Sequence, residues 1–327
     1  MSSLQALAEI ADETQRRRRG HLTRATARLM RKKIAVVAVG VILIIYLSGI
    51  LAAPISNYVT GYEYTDQDYT SLKEPPSLEH WAGTDRAGRD IFTRLIWGVQ
   101  NTVILTAVGM LSGGLVIGVS LGLISGYIGG RVDDVIMRIG EIFASFPDIL
   151  LVIIIAATLR PRLLEWVRWL EDHTAVGGLV RSGVVDYMVI SLALVSFGWI
   201  GMARLVRGQI LVLKETQYIE SARAIGLSTP RILFRHLFPN AISPIVVTVS
   251  AGMGSMVGTE IVLSWLGLGI QPPRPSLGVM LLEGGSISVL QVMPWLLIAP
   301  GVVAWLMVLA WNLLGDALND VLNPRTR

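Results

Sequence analysis

Residues 220–240 read ESARAIGLSTPRILFRHLFPN, a polar and charged stretch between two strongly apolar ones. Apolar runs long enough to cross a bilayer end before this stretch and begin again after it, so the stretch connects two membrane-spanning helices. A glycine and two prolines divide it, which indicates a compact connection. The connection is suited to dock in a groove on a partner, or it serves only to order the loop. Its local chemistry leaves both interpretations open.

The sequence predicts two helices in this region, joined at Gly226. A helix from Glu215 to Ile225 places three side chains on one face, at offsets of four and seven residues: Tyr218, Ala222 and Ile225. Gly226 is the residue type expected just past the end of such a helix. We refer to residues 215–240 as the elbow.

The second helix of the elbow is predicted to begin at Thr229, which acts as the cap, with Pro230 in its first turn. It runs through Leu233 and Leu237 and stops near Pro239. The elbow is therefore expected to consist of a helix, a glycine turn and a second helix, with a small apolar face available to a partner.

The composition of the chain is that of an integral membrane protein. Of its 327 residues, 52% are hydrophobic and 16% are charged, and the mean hydropathy is +0.58. A soluble domain needs a larger polar share. The chain has no cysteine, so a disulfide or a thiolate metal site is excluded, and its four histidines are too scattered to suggest metal ligation.

Six apolar stretches are long enough to span a bilayer, which takes about 20 residues of helix. They are residues 34–53, 99–125, 135–159, 184–203, 242–263 and 292–314. The sequence therefore predicts an all-α membrane protein with six transmembrane helices. An even number of spans places both termini on the same side of the membrane.

Basic residues predict the orientation of these spans. Nine Lys or Arg residues occupy the first 33 positions, including Arg16 to Arg19, and the positive-inside rule places this side in the cytoplasm. The predicted divisions are a cytoplasmic segment (1–33), a first span (34–53), an extracytoplasmic loop (54–98), a core of five spans (99–316, with residues 204–240 on the cytoplasmic side) and a cytoplasmic tail (317–327). Because the basic residues sit beside spans, we expect them to contact membrane lipid and not nucleic acid.

The second span carries glycines four residues apart, at Gly114, Gly118, Gly122 and Gly126. Such glycines lie on one helix face and let another helix approach closely. The same stretch contains LSGG at residues 111–114, which resembles the start of the signature motif of ABC ATPases. The sequence has no G-x-x-x-x-G-K-[ST] phosphate loop, so we interpret the glycines as a packing face. Any ATP must then be handled by another subunit.

The loop before the second span contains the pattern of a helix start. Thr84 or Asp85 can act as the cap, and two acid–base pairs lie four residues apart, Asp85 with Arg89 and Asp90 with Arg94. These charges order the entry into the span, or they form a docking or gating surface on the outer side. The sequence leaves both interpretations open.

Two further features are predicted on the outer side. Pro272 and Pro273 stiffen the loop after the fifth span, either as a rigid turn or as the lip of a gate. Residues 159–186 form a long loop that contains an amphipathic helix typical of the membrane interface. The residues on its apolar face are Leu163, Trp166, Val167 and Leu170. This helix is an interfacial anchor or an additional contact with a partner.

Charged residues inside the third span need partners if they are to lie near lipid. Asp134, Arg138 and Glu141 follow one another at intervals of four and three residues, which places them on one helix face. We expect them to neutralise one another near the cytoplasmic end of the span.

The elbow resembles the EAA loop of ABC importer permeases, which that family uses as a coupling helix against its ATPase subunits. The matching residues are Glu220, Ser221, Ala222 and Gly226, followed after nine residues by His236, Leu237, Phe238 and Pro239. Ser221 replaces the usual second alanine, and His236 and Phe238 stand where the general pattern prefers Ile and Leu. The dipeptide Arg235-His236 before Leu-Phe-Pro-Asn is similar to the peptide and nickel permeases.

The resemblance extends over nearly the whole chain. Its further matches are GTDRAGRD at 83–90, SFP at 145–147, ARLVRGQ at 203–209, SWLGLGIQPP at 264–273 and NLLGD at 312–316. Together they point to the C-type permease of a dipeptide or oligopeptide importer. A permease of the same family that imports nickel or another small solute is the alternative.

The resemblance implies an assembly in the bacterial inner membrane. The fold is that of a type I ABC importer permease with a cytoplasmic coupling helix, and the chain forms half of the translocation pathway. Its partners are a second, B-type permease, two ABC ATPase subunits that bind ATP and Mg²⁺, and an extracytoplasmic binding protein. The residues implied to contact the ATPases are Glu220, Ser221, Ala222, Gly226, Arg235, His236 and Pro239.

Glu260 is the remaining candidate for a contact with the solute. It has no sequence neighbour of opposite charge and lies close to the outer end of the fifth span. It reaches water there, or it contacts the amino terminus of a transported peptide.

Two other function classes have weaker support in the sequence. An ATP-independent carrier usually shows internal repeats with broken spans near the middle of the membrane, and no convincing repeat is present. A membrane enzyme needs a nucleophile with its base or a metal motif such as H-E-x-x-H, and the sequence has neither.

Overall fold

The computed structural model describes residues 27–174 and 177–322. Within these ranges helices dominate the fold. In chain order the main ones are α1 (Lys33–Ile50), α2 (Ile91–Ile128), α3 (Gly130–Ala144), α4 (Asp148–His173), α5 (Val184–Leu213), α6 (Gln217–Ala224), α7 (Thr229–Trp265), α8 (Leu277–Gly284), α9 (Ile287–Val292) and α10 (Trp295–Leu322). Two short helical segments, Ala52–Ile55 and Ser56–Thr60, follow α1.

The prediction of an all-α membrane protein is confirmed. In the described part of the chain, five helices are long and apolar enough to cross a bilayer: α1, α2, α5, α7 and α10. The pair α3 and α4 gives a sixth span if the two helices are counted together, although they meet at an angle of 90°.

Several helices continue past the ends of the apolar runs. α2 begins at Ile91, inside the region predicted as an outer loop, and α10 continues to Leu322, inside the region predicted as a tail. The reason is that local caps and packing end a helix, whereas hydropathy reports only which residues prefer lipid. The basic run from Arg16 to Arg19, which is predicted to lie in the cytoplasm, is outside the described residues.

The third predicted span, residues 135–159, is not one continuous helix. α3 ends at Ala144 and α4 begins at Asp148, with a bend of 90° between them. Pro147 explains the break, because proline has no N–H to donate and disfavours helical geometry in the residue before it, Phe146.

The prediction of an outer loop over residues 159–186 is wrong for the first half of this range. α4 continues as one helix to His173 and passes through Pro161 without ending. Val167 packs in a buried cluster with α5, whereas Trp166 and Trp169 are exposed. The amphipathic segment is therefore the second half of a long helix that starts at the bend, and not a separate interfacial helix.

The backbones of α2 and α5 approach each other closely at the glycines of α2. A Cβ atom added at Gly118 would lie 2.8 Å from the Cβ of Met202, and one added at Gly122 would lie 2.7 Å from the carbonyl oxygen of Ala203. Distances this short leave no room for a side chain, so the two helices are in direct contact along this face.

The contact continues toward the end of α2 but does not include every glycine of the series. A Cβ atom added at Gly126 would lie 2.8 Å from the Cβ of Ile210. At Gly114 the nearest atom is instead the sulfur of Met110 in the same helix, at 2.8 Å. The close approach of α2 to α5 is therefore concentrated in the half of α2 that leads to α3.

Two clusters of buried apolar side chains lie near the two ends of α2. One joins the start of α2 to α8 and to the neighbouring parts of α7 and α10, and includes Leu95, Val99, Val257, Leu277 and Met307. The other joins the end of α2 and α5 to the elbow. This second cluster, which we call the elbow core, contains Val119, Leu123, Met202, Val206, Ile210, Ile219, Ala222, Ile232, Leu233, Leu237, Ala241 and Ile245.

Candidate functional site

The first helix of the elbow, α6, is held by its inner face. Ile219 and Ala222 are buried and belong to the elbow core. Of the three residues predicted on the available face, Tyr218 and Ile225 are exposed, by 42% and 76%, whereas Ala222 points into the protein. α6 packs against the elbow core through Ile219 and Ala222, which are three positions apart. Tyr218 and Ile225 are therefore left available to a partner.

Gly226 forms the turn after α6. Its φ angle is +77°, in the left-handed region that glycine adopts at little cost. The N–H of Leu227 donates to the carbonyl of Ala222 at 3.1 Å, and the N–H of Gly226 donates to that of Arg223 at 2.9 Å. These two bonds satisfy carbonyl groups that the end of a helix leaves free, so the turn has a defined shape.

The second helix of the elbow begins as predicted but does not stop. α7 starts at Thr229 with Pro230 in its first turn, although the residue at the cap position is Ser228. The helix continues through Pro239 to Trp265, and it does so through a π-helical stretch at Leu233–Leu237. A local π adjustment of this kind accommodates a proline inside a membrane helix. The predicted end near Pro239 is therefore wrong.

The amide of Asn240 helps to hold this region. Its Nδ2 donates to the carbonyl of His236 at 2.6 Å, beside the proline that cannot donate its own N–H. The same nitrogen lies 3.4 Å from the hydroxyl of Tyr218 in α6. Asn240 therefore ties the start of α7 to α6.

The residues implied to couple to an ATPase differ in their exposure. Ala222 is buried, and His236 and Pro239 are half-buried. The exposed residues of the set are Glu220, Ser221, Gly226 and Arg235. Phe234 in the same segment is 63% exposed although it is apolar, and it was not singled out from the sequence. The elbow thus combines a buried inner side with an outer side that carries charges and exposed apolar groups.

A second ordered cluster lies at the start of α2. Asp90 caps the helix by accepting from the N–H of Thr93 at 2.7 Å, so the predicted caps Thr84 and Asp85 are wrong. The second carboxylate oxygen of Asp90 lies 3.0 Å from the Nδ1 of His80, and both side chains are buried. Asp90 therefore does not pair with the arginine four residues after it.

The predicted pair of Asp85 and Arg89 is present, with a distance of 2.6 Å. Arg94 also lies 3.5 Å from Asp85 and reaches Glu283 in α8 at 3.3 Å. Asp85 is buried. Because Asp85 and Asp90 are both engaged inside the protein, a docking surface made of these two carboxylates is not present in this conformation. Glu283 could not have been found from the sequence, since it is 189 residues from its partner.

Glu260 does not reach water, contrary to one of the two predictions. Its side chain is 0% exposed and accepts hydrogen bonds from the hydroxyls of Thr102, at 2.7 Å, and Ser264, at 2.8 Å. The bond from Thr102 joins α2 to α7, and the bond from Ser264 lies within α7; together they satisfy the carboxyl group inside the bundle. Pro272 and Pro273, by contrast, are exposed in the loop between α7 and α8.

The predicted neutralisation within α3 is only partly present. Arg138 and Glu141 form a pair at 3.1 Å, with both side chains largely exposed, by 77% and 57%. The less exposed ion pair of this helix involves the preceding carboxylate, Asp133, which binds the half-buried Arg207 in α5. Spacing along a single helix pointed to Asp134 and could not reveal a partner on α5.

No group of three or more His, Asp or Glu side chains in residues 27–174 and 177–322 is arranged to hold a metal ion.

Comparison with known families gives two matches. Residues 118–327 match the family described as binding-protein-dependent transport system inner membrane component. Residues 22–76 match the N-terminal transmembrane domain of oligopeptide transport permease C. The first match covers the elbow, and the second covers α1 and the segments after it.

Curated relatives match over most of the chain. A dipeptide transport system permease protein of Alkalihalophilus pseudofirmus is 36% identical over 305 residues, which are 93% of this chain and 90% of that protein. A glutathione transport system permease protein of Pectobacterium atrosepticum is 40% identical over 301 residues, 92% of this chain and 90% of that protein. An oligopeptide transport system permease protein of Bacillus subtilis is 35% identical over 304 residues, 93% of this chain and 89% of that protein.

Proposed function

The chain belongs to the family of binding-protein-dependent transport system inner membrane components, and from this we propose that it is the C-type permease subunit of an ATP-driven importer of dipeptides or oligopeptides. It forms half of the translocation pathway, together with a second permease. Two ATPase subunits and an extracytoplasmic binding protein complete the assembly. Both termini and the elbow lie on the cytoplasmic side, as the basic residues of the sequence indicate.

The observation that carries this proposal is the construction of the elbow. Its inner side is anchored in the elbow core, while Tyr218, Ile225 and Phe234 are exposed on a segment that also carries charges. Exposed apolar groups at a polar end of a membrane protein are typical of a protein interface. An ATPase subunit that binds this segment can therefore push on a firmly held part of the permease.

The chain itself has no role in hydrolysis in this proposal. The sequence lacks a phosphate-binding loop, so ATP and Mg²⁺ belong to the ATPase subunits. Closure of the ATPases on ATP binding moves the elbow, and the spans change between inward and outward access.

Retention of the ATPases by elbow variants tests the docking role. The tagged chain is purified from cells that produce all five components, and the ATPase recovered with it is measured. We expect Ile225→Asp and Phe234→Asp to reduce recovery by more than about tenfold, because each puts a charge into a desolvated interface. Full recovery with both variants would exclude the elbow as the docking segment.

A matched control separates docking from general damage. Leu78 is 98% exposed and lies in the segment before α2, far along the chain from the elbow. Leu78→Asp introduces the same charge at an apolar position that is even more exposed than Ile225 and Phe234. We expect it to retain the ATPases at the wild-type level.

The peptide class of the solute is supported by the names of the relatives, which refer to dipeptides, oligopeptides and glutathione. Each of these solutes contains peptide-like amide bonds. Binding of a panel of dipeptides, longer peptides, glutathione and nickel chelates to the cognate binding protein tests this assignment. Binding of a peptide supports it, and binding of nickel chelates alone would favour the alternative solute.

A further inference from the structure

The end of α2, the start of α3 and the elbow side of α5 are joined by charged and aromatic contacts that the proposed function has not used. Asp133, in the first turn of α3, accepts from the Nε of Arg207 at 2.5 Å and from its Nη2 at 2.6 Å. The hydroxyl of Ser125, at the end of α2, also donates to Asp133. One carboxylate therefore holds three helices together.

The Asp133–Arg207 pair lies beside a close contact between α2 and α5. A Cβ atom added at Gly126 would lie 3.0 Å from the carbonyl oxygen of Arg207. No layer of flexible side chains separates α2 from α5 at this level, so a displacement of α5 is passed to α2 with little loss. The bidentate geometry of the pair also fixes orientation, since a planar guanidinium meets both oxygens of the carboxylate.

The elbow is attached to the same place by a separate contact. The guanidinium carbon of Arg223, on α6, lies 5.1 Å from the centre of the Tyr127 ring, a distance typical of a cation–π interaction. Tyr127 is two residues after Ser125 and lies close to the end of α2. α6 thus contacts α2 through Tyr127 in addition to the apolar contacts of the elbow core.

We propose that Asp133 and Arg207 are positioning residues that make the elbow, α5 and the α2–α3 corner move as one unit, so that ATPase movement reaches the solute pathway. Tyr127 and Arg223 connect the elbow to this unit. The proposal rests on the function proposed above, because it requires the elbow to receive force. Without the ion pair the elbow still binds the ATPases, but its movement is absorbed at the corner between α2 and α3.

The test measures solute imported per ATP hydrolysed by the complete complex in liposomes, with the binding protein present. We expect Asp133→Asn and Arg207→Gln each to lower this ratio by about tenfold. The double variant should be no worse than either single one, because all three lose the same pair. Ratios at the wild-type level in assembled complexes would overturn the proposal.

Two matched controls show whether the ratio reports this pair in particular. Arg138→Gln removes an arginine from the exposed pair on the same helix, α3, and should leave the ratio unchanged. Tyr127→Phe keeps the aromatic ring and should also leave it unchanged, whereas Tyr127→Leu should lower it. A loss with Arg138→Gln equal to that of Asp133→Asn would mean that any charge change in α3 has this effect, which contradicts the proposal.

If Asp133 and Arg207 had a purely structural role, a different result would be expected. The variants would then lower the melting temperature or the yield of the complex, and the ratio in the surviving complexes would be unchanged. If Asp133→Asn does not assemble, Arg207→Lys takes its place, because lysine keeps the charge and loses the bidentate geometry. An unchanged ratio with Arg207→Lys would overturn the proposal, and a lowered ratio supports it.

The outcome also separates this proposal from the docking role of the elbow. If Ile225→Asp releases the ATPases while Asp133→Asn keeps a wild-type ratio, only the transmission proposal fails. If Ile225→Asp retains the ATPases, the docking proposal fails first.

Discussion

Gly226 is the residue on which the shape of the elbow depends. Its φ angle of +77° is in the region that disfavours residues with a side chain, although a Cβ atom there would meet no atom within 4 Å. Within this chain, a substitution at this position therefore changes the backbone conformation without introducing a clash. The cost for alanine is about 1 kcal/mol, and a β-branched residue is disfavoured further.

We expect substitutions of Gly226 to reduce the solute imported per ATP hydrolysed. An energy of about 1 kcal/mol corresponds to roughly a fivefold change, so Gly226→Ala should lower the ratio by about that factor and Gly226→Val by more. Gly201→Ala is the matched control, because Gly201 also has open space around it but lies inside the helix α5. Wild-type coupling with Gly226→Val would contradict this expectation.

Glu260 presents a second residue whose role follows from its surroundings. Its carboxyl group is enclosed by protein and bonded to Thr102 and Ser264. We expect Glu260→Gln to transport charged and uncharged peptides with the wild-type preference, because the side chain does not face the solute in this conformation. Competition between such peptides in an uptake assay measures this. A selective loss of peptides with a free amino terminus would show that Glu260 reaches the solute.

The buried hydroxyls around Glu260 give a separate prediction about stability. Glu260→Ala leaves the hydroxyls of Thr102 and Ser264 without their acceptor, and an unsatisfied buried polar group costs about 1–3 kcal/mol. We therefore expect a lower melting temperature in detergent. An unchanged melting temperature for Glu260→Ala would show that the hydrogen bond from Thr102 does not support the contact between α2 and α7.

At the scale of elements, the contact between α2 and α5 organises the half of the protein that carries the elbow. It depends on glycine because the added Cβ at Gly122 would lie 2.7 Å from both the carbonyl oxygen of Ala203 and the Cβ of Val206. The helices can only accommodate a side chain there by separating, and this would also disturb the elbow core.

We expect Gly122→Val to destabilise the protein by about 1–3 kcal/mol, the usual cost of overpacking a close contact. A thermal unfolding assay in detergent measures the change. Gly40→Val is the control, because Gly40 in α1 has no atom within 4 Å of an added Cβ. Equal melting temperatures for the two variants would contradict the account of the α2–α5 contact.

The elements that the sequence predicts well are those with a local cause. The apolar runs predict the spans, because a run of about 20 apolar residues is stable in the hydrocarbon core of a bilayer and not in water. The glycine turn at Gly226 is found where a C-terminal glycine is expected. Asp85 and Arg89 pair as predicted, although they do so in the turn before α2 and not on a helix.

Other features depend on tertiary contacts that a single segment does not contain. Asp90 caps α2, and its second carboxylate oxygen contacts His80 and not Arg94. Asp133 and Arg207 are 74 positions apart, so no local spacing in the sequence predicts that they pair. The helix through Pro239 continues because a π-helical stretch adjusts its hydrogen bonds, and a rule based on proline alone predicts an end.

At the scale of the whole molecule, the region around the start of α2 is built differently from the region around its end. Around the start of α2, buried charges such as Asp85 and Arg94 are paired with one another and with α8. Around the end of α2, a buried core supports an elbow whose outer side is exposed. This asymmetry fits a permease that is driven from one side and gives its solute access from the other.

The most direct test of the account is ATP-driven uptake by the purified complex in liposomes. The chain is reconstituted with the second permease, with or without the ATPase subunits, and import of a labelled peptide is followed with the binding protein supplied outside. We predict import only when the ATPases and ATP are both present, and loss of import with Ile225→Asp. Import by the chain without ATPases or ATP would contradict the account and indicate an independent carrier.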